Sequence, residues 1–462
     1  METLTRRAHY GTVPCMDDTG RQARLAATTP HTTTTTPAAT TQVVRDCPQA
    51  SPPPRLTYVA YPTSLTLRSA NAIHTYSLMQ AMRAQVPELT LLVPRFAGRP
   101  SRFTEVGAMH LARLPFNAGR HLLNSIGWSY AERMGFAARV LAHLVRTRLM
   151  RRAPAVLYVR DAVVAAGCAL LARPLVGARV VYECHDLEAH NPSAQTGPIT
   201  RRLASLIDRV VMRRSDGLVS LTHAFVDVLH NDPALHPRGP VTVIPDAYDD
   251  AVFSPRDKAT ARAALALPPT AFIAVYVGST WKYRGVDRLI AAFAAFASDR
   301  PDARLVLVGG RPDEQAAAMA DVRQRGIASA VQCARTQPQT TVAQYMAAAD
   351  VLTLSDTVSK ASASPLKLFE YAACARPIIL TDLPALREVL PDDGACWVPP
   401  GDTAAFADAL RWVASHPTAA AAMGERAAQA VAPHTYRARA AAVIAFCARI
   451  AHGEASGVED TR

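Results

Sequence analysis

The sequence predicts an α/β protein of two doubly wound parallel-sheet units, and two observations carry that prediction. Short hydrophobic runs of the buried-strand type alternate with helical patterns along most of the chain. These runs fall into two series, joined near Asp246 to Asp257. The 462 residues are enough for two separate cores.

The first series opens with an expected strand from Leu56 to Tyr61 and a helix from Asn71 to Ala84. Strands are expected at Leu89 to Pro94, Ala155 to Val159, Arg179 to Glu183, Gly217 to Leu221 and Val241 to Ile244. The second series begins at Phe272 to Gly278, followed by a helix from Gly285 to Ala297. It continues through Arg304 to Gly309, Ala330 to Cys333, Val351 to Leu354, Pro377 to Leu380 and Cys396 to Val398. Helices from Ala404 to Val413 and from Thr435 to Ala451 close it. Residues 1–54 contain the run Thr32 to Thr36 and end in Pro52-Pro53-Pro54. They read as a disordered tail, or as a misassigned start. The expected domains are 55–246 and 247–430, with 431–462 as a closing helix and tail.

Hydrophobic residues make up 49% of the chain and charged residues 19%, the balance of an ordinary globular protein. The net charge of +12 suits anionic partners. Basic and aromatic residues are not interleaved as base stacking requires, so nucleic acid is not an expected partner. Eight cysteines are scattered without a C-x-x-C pair, which excludes common zinc and redox motifs and suits a reducing compartment. No signal-peptide core or membrane-length apolar run is present, so the cytoplasm is the expected location. From Arg120 to Arg152 the chain is rich in Arg, Leu and Ala. A basic amphipathic helix there can lie on anionic lipid at the inner face of the plasma membrane, or pack on the core with its basic face in solvent.

The segment Ser364-Pro365-Leu366-Lys367-Leu368-Phe369-Glu370-Tyr371-Ala372 lies between two expected strands and reads as a helix. Ser364 is a suitable N-cap and Pro365 a suitable first helical residue. The free N–H groups of such a helix start can hold a phosphate. Glu370 can accept hydrogen bonds from ribose hydroxyls, and Lys367 is its neighbour at i to i+3. The plainer reading is a capped amphipathic helix with a structural ion pair.

This segment resembles the donor-site signature of GT-B glycosyltransferases, specifically the Ser-Pro-Leu-Lys-Leu-Phe-Glu-Tyr subset of glycosyltransferase family 4. The family carries a Glu, seven residues and a second Glu. Glu370 matches the second, while Ser362 stands at the first. The resemblance implies two Rossmann-like domains facing a central cleft, with the final helix crossing back onto the N-terminal domain. It also implies a retaining transferase that moves a sugar from a nucleotide diphosphate sugar, most often a UDP-sugar. The acceptor would be a hydroxyl on a glycan, a lipid-linked molecule or a small molecule. No cofactor and no metal are expected beyond the donor itself. No Asp-x-Asp pair lies between a strand and a loop, and Asp249-Asp250 and Asp392-Asp393 read as turns.

The segment from Gly278 to Gly285 follows a strand and precedes a helix, where Gly permits close backbone approach to a diphosphate. It resembles the family's Gly-x-x-x-x-x-Lys-Gly loop, with Arg284 in the Lys position. Ser279 stands where many relatives carry a basic residue, and Lys282 is expected to compensate. In Val180 to Asp186 a strand ends at His185. The family's matching His faces the transferred sugar, and Asp186 and Glu188 are expected to orient His185 or contact the acceptor. Arg68 and Asn71, at the start of the first helix, are expected on the acceptor side. Ile244 to Asp249 resembles the family's interdomain segment and reads as a hinge. Glu388 closes a family-like segment from Asp382 and reads as structural. Alternative functions are a nucleotide-sugar epimerase on the same fold and a non-catalytic partner subunit.

Overall fold

The computed structural model describes residues 55–62, 64–67, 69–96, 100–112, 125–190, 197–280, 284–355 and 366–453. The first half contains β1 (Leu56–Val59), α1 (Ala70–Gln85), β2 (Thr90–Arg95), β3 (Met109–Ala112), α2 (Ser125–Leu149), β4 (Val156–Val159) and α3 (Ala162–Val176). It continues with β5 (Arg179–Cys184), α4 (Pro198–Arg214), β6 (Gly217–Ser220), α5 (His223–Asn231) and β7 (Val241–Val243). These seven strands form one parallel sheet in the order β3-β2-β1-β4-β5-β6-β7. Strands β1 and β4 are buried on both faces, which is why they read as unbroken apolar runs rather than alternating ones. Helix starts are set locally. Ser69 accepts from the Ala72 N–H at 3.3 Å and Asp161 from the Val164 N–H at 3.0 Å.

The second half contains α6 (Lys258–Ala264), β8 (Ile273–Val277), α7 (Val286–Asp299), β9 (Arg304–Val308), α8 (Pro312–Gln324), β10 (Val331–Ala334) and α9 (Gln339–Ala348). Then come β11 (Val351–Leu354), α10 (Leu366–Ala373), β12 (Ile378–Thr381), α11 (Pro384–Arg387), β13 (Cys396–Val398), α12 (Thr403–Ser415), α13 (Pro417–Val431) and α14 (Tyr436–His452). Its six strands form a second parallel sheet in the order β10-β9-β8-β11-β12-β13. Both sheets reverse strand order next to their first strand, at β1/β4 and at β8/β11. Sheets of this class bind ligands at such points, beyond the carboxyl ends of the strands.

The chain passes between the halves twice, and the two passages run side by side. The Tyr248 N–H donates to the His434 carbonyl at 3.1 Å, and the Tyr436 N–H returns to the Tyr248 carbonyl at 3.2 Å. Helix α14 then packs on α1. Its Tyr436, Val443, Phe446 and Ile450 join the apolar cluster formed by β1, β4 and α1. Glu388, just past α11, accepts from the His223 and Ala224 N–H groups at 2.6 and 2.7 Å and so caps α5 of the first half.

Two elements differ from the sequence expectation. β3 is a short edge strand, Met-His-Leu-Ala, with no β-branched residue and little burial, so it leaves no strand signal. α13 is an Ala-rich helix whose few large residues leave a weak apolar period. The expected tail, residues 1–54, lies outside the described residues.

Phe446 is buried in the first-half cluster although it belongs to the last helix. Phe446→Ala is expected to cost about 3–5 kcal/mol, read as a lower urea midpoint at unchanged slope. A loss below about 1 kcal/mol, the range of surface changes, would contradict this docking of α14.

Candidate active site

The second-half side of the site is built where β8 and β11 diverge. Tyr371, fully buried on α10, accepts from the Val277 N–H at 2.7 Å and donates to the Thr353 carbonyl at 3.3 Å. This ties α10 to the ends of both strands. Gly278 follows directly with a φ of +147°, and a Cβ there would overlap the Lys367 amine. The glycine therefore lets Lys367 lie across the loop, with its amine 5.6 Å from the centre of the Tyr276 ring. Ser279 donates to Glu314 at 2.8 Å, and the same carboxylate takes the Thr280 N–H at 2.9 Å. The Arg284 carbonyl accepts from Ser355 at 3.2 Å, which fastens the far end of the loop to the end of β11.

Glu370 projects from α10 and is only 8% exposed. No hydrogen bond to its carboxyl is found among the described residues. Burial pushes it up to about 8; Lys367 opposes that shift, and Asp246 and Asp249 add to it. Lys282, Ser364 and Pro365 lie outside the described residues, and Leu366 packs on the apolar cluster beside α14.

The facing side is organised by Glu183, the penultimate residue of β5, which is fully buried. His185 Nε2 lies 2.5 Å and His74 Nε2 lies 3.2 Å from its Oε1, and Arg439 Nη2 of α14 lies 3.1 Å from the same oxygen. The Tyr158 hydroxyl donates to the other oxygen. Burial opposes ionisation of Glu183, but Arg439 and the two imidazoles outweigh it and hold the carboxyl well below its usual range. His74 Nδ1 lies 2.9 Å from Asp246 Oδ1 in the hinge. Arg439 also donates to the carbonyls of Ile244 and Pro245. The cluster thus joins β5, α1, the hinge and the last helix.

His185 is part of this cluster, 20% exposed by its side chain. Arg160 Nε lies 2.8 Å from its Nε2, and Arg160 also bonds the Asn71 carbonyl at 2.9 Å. Burial, then the Arg160 charge, pushes the imidazole down to about 4, so His185 is neutral near pH 7. The Arg160 Nε–H donates to Nε2, which also faces the Glu183 carboxylate, and Nδ1 has no hydrogen bond among the described residues. Asn71 lies in the first turn of α1, Asp186 is exposed beyond β5, and Arg68 lies outside the described residues. Glu188 is turned to Arg133 at 2.6 Å and Tyr130 at 3.0 Å, so the contact that orients His185 comes from Glu183 instead.

Residues 271–416 match the family model described as glycosyl transferases group 1, and residues 69–247 match the glycosyl transferase 4-like domain. The chain is a GT-B glycosyltransferase-family protein resembling family 4. It is 28% identical over 227 residues to a D-inositol 3-phosphate glycosyltransferase of Segniliparus rotundus, covering 48% of this chain and 50% of that one. It is 32% identical over 220 residues to the enzyme of the same name from Jonesia denitrificans, covering 45% and 51%. The chain thus spans about half the length of the curated relatives it matches. Among solved structures, sucrose-phosphate synthase from Thermosynechococcus elongatus superposes with a TM-score of 0.70 at 18% identity, over 85% of this chain and 98% of that one. Anabaena HepE in complex with UDP-glucose gives 0.64 at 13% identity, over 84% and 99%. These likenesses are of fold.

Against that GT-B frame, sequence reasoning missed Glu183, His74, Arg160 and Arg439. Glu183 lay inside the quoted strand, but a polar residue there reads as facing solvent. The available signal was its place in a strand otherwise apolar on both faces. His74, Glu183 and His185 bring potential metal-ligand atoms within 4.8 Å of one another. Arg160 and Arg439 point at the same carboxylate, and two guanidinium charges there oppose a bound cation.

The Glu370 shift has a definite sign. In the unfolded chain the carboxyl ionises near 4.5, whereas in the native protein it holds its proton to about 8. Stability therefore falls as pH rises between those values, and the full penalty is present above the native pKa. Glu370→Gln is expected to raise the melting midpoint by a few degrees at about pH 8.5 and to leave it unchanged near pH 4.5. An equal gain at both pH values would contradict the assignment.

Proposed function

We propose that this protein transfers a sugar from a nucleoside diphosphate sugar to an acceptor hydroxyl, with retention of configuration. The observation that carries the reading is Glu370. A buried carboxyl without a hydrogen-bond partner among the described residues, one turn from a lysine laid over a glycine loop, matches the needs of a ribose and a diphosphate. Glu370 bonds the ribose hydroxyls, and Lys367 and Arg284 neutralise the charge that grows on the departing diphosphate. Fixed cations do this without reorganising during the reaction. His185 meets the sugar from the opposite side as a neutral imidazole, with Nδ1 open to a hydrogen bond with a sugar hydroxyl. The acceptor hydroxyl attacks the face the diphosphate leaves, and its proton passes to the leaving phosphate oxygen. Closure of the halves about the hinge keeps water from the donor.

A UDP-sugar is the favoured donor, because solved structures on this fold hold UDP and UDP-glucose. The acceptor is a glycan, lipid-linked or small-molecule hydroxyl. Beyond the carboxyl ends of β1 and β2, a cavity of about 420 Å3 lined by Leu65, Phe96 and Pro100, with Arg95, Ser101 and His110, offers it a mostly apolar seat with polar groups at hand.

Thermal-shift measurements with UDP, GDP, ADP and TDP test the donor site. UDP is expected to raise the midpoint by a few degrees at about a hundredfold excess over its dissociation constant. Glu370→Ala is expected to weaken that binding at least about tenfold. A protein that melts cooperatively and responds to none of the four would overturn the reading.

A further inference from the structure

Among the described residues, eleven large apolar side chains stand exposed, and nine of them lie on or just past α2, α3 and α4. These three helices pack side by side on one face of the first sheet. On α4 the exposed residues are Ile199, Leu203 and Leu206, at 80%, 44% and 52% exposure. Their spacing is helical, so they form one outward stripe. The inward stripe of the same helix, Ala204, Ile207, Val211 and Met212, is buried in the core. The outward stripe is therefore in addition to core packing. Leu170, Leu171 and Leu175 continue the exposed apolar surface on α3, and Leu149 and Met150 continue it at the end of α2.

The exposed charge on this face is basic, and Asp216, just past α4, is paired with Arg173 of α3 at 3.3 Å. Arg201, Arg202, Arg209, Arg213 and Arg214 are exposed on α4. Arg146, Arg148, Arg151 and Arg152 are exposed at and just past the end of α2. The only carboxylates in the three helices are Glu132 and Asp208, and both are buried. Asp208 is spent internally, accepting the Glu188 and Ala189 N–H groups at 3.0 Å each.

We propose that this face docks on an anionic lipid bilayer, with the stripe of α4 entering the boundary between headgroups and acyl chains. Leucine and isoleucine gain by leaving water there, while the surrounding guanidinium groups pair with lipid phosphates. The charge pattern argues against a second copy of the chain, since a symmetric contact would set arginines against arginines. Nucleic acid would use the arginines but gives the aliphatic stripe no partner. No described helix is long and apolar enough to cross a membrane, so the contact is peripheral. The basic end of α2 that the sequence marks is one edge of this surface, and α4 supplies its apolar centre. The proposal does not depend on which reaction the cleft carries out.

The test is flotation of the full chain with vesicles of phosphatidylcholine alone or with about 30% phosphatidylglycerol, at about 0.1 M salt. Binding is expected only to the anionic vesicles. Two triple variants, I199S/L203S/L206S and R201Q/R202Q/R209Q, are each expected to bind at least about tenfold more weakly, since one arginine is worth about fivefold. Both variants change exposed side chains and should melt like wild type. As a reading that needs no loss of binding, Ile199→Trp is expected to shift its emission to the blue with anionic vesicles. Absence of wild-type binding, undiminished binding by both variants, or no blue shift would overturn the proposal. So would weakening confined to the arginine variant with competition by single-stranded DNA, which would mark a plain polyanion surface.

Discussion

The carboxylate of Glu183 is the charge on which the rest of the first half depends. It has no contact with water, yet two imidazoles, two guanidinium groups and a tyrosine hydroxyl converge on it. Taking such charges out of solvent costs several kcal/mol per ion, so the cluster is weak grounds for claiming stability. What it supplies is position. Arg439 links Glu183 to the carbonyls of the hinge, and His74 links it to Asp246. A carboxylate on one strand thereby fixes where the last helix lies, where the chain crosses between halves, and how His185 points.

The Glu370 side of the site follows the opposite rule. Glu183 is buried with a full set of partners, and its pKa is driven down. Glu370 is buried beside Lys367, with no hydrogen bond to its carboxyl found among the described residues, and its pKa is driven up. Asp246, in the passage between the halves, links the two carboxylates electrostatically, since it acts on both His74 and Glu370. A satisfied buried charge acts as a strut, whereas an unsatisfied one is a place for a ligand to bind. The same reasoning separates the surface arginines of α4, which face solvent beside aliphatic side chains, from Arg439, which is buried beside Glu183.

Much of the fold was legible because parallel strands buried on both faces leave continuous apolar runs. β8, β9 and β11 were found within a residue of their ends for that reason. β3 was not, because an edge strand of Met, His, Leu and Ala carries no such mark. At the site, His185 was legible from its place at the end of a strand and from the family likeness, and Glu370 from its helix. The partners of His185 were not, because burial of Glu183 and His74 is created by α14, which arrives from the far end of the chain. Arg439 reads in sequence as one arginine among many on a helical face, and only the packing of that helix on α1 turns it inward.

The most direct test of this arrangement is the titration of His185 by nitrogen-15 NMR on histidine-labelled protein, assigned with His185→Gln. The structure predicts a neutral imidazole at pH 6 to 7, with a pKa of about 4. A pKa near 6.5 would show that Glu183 and its arginines do not hold the ring.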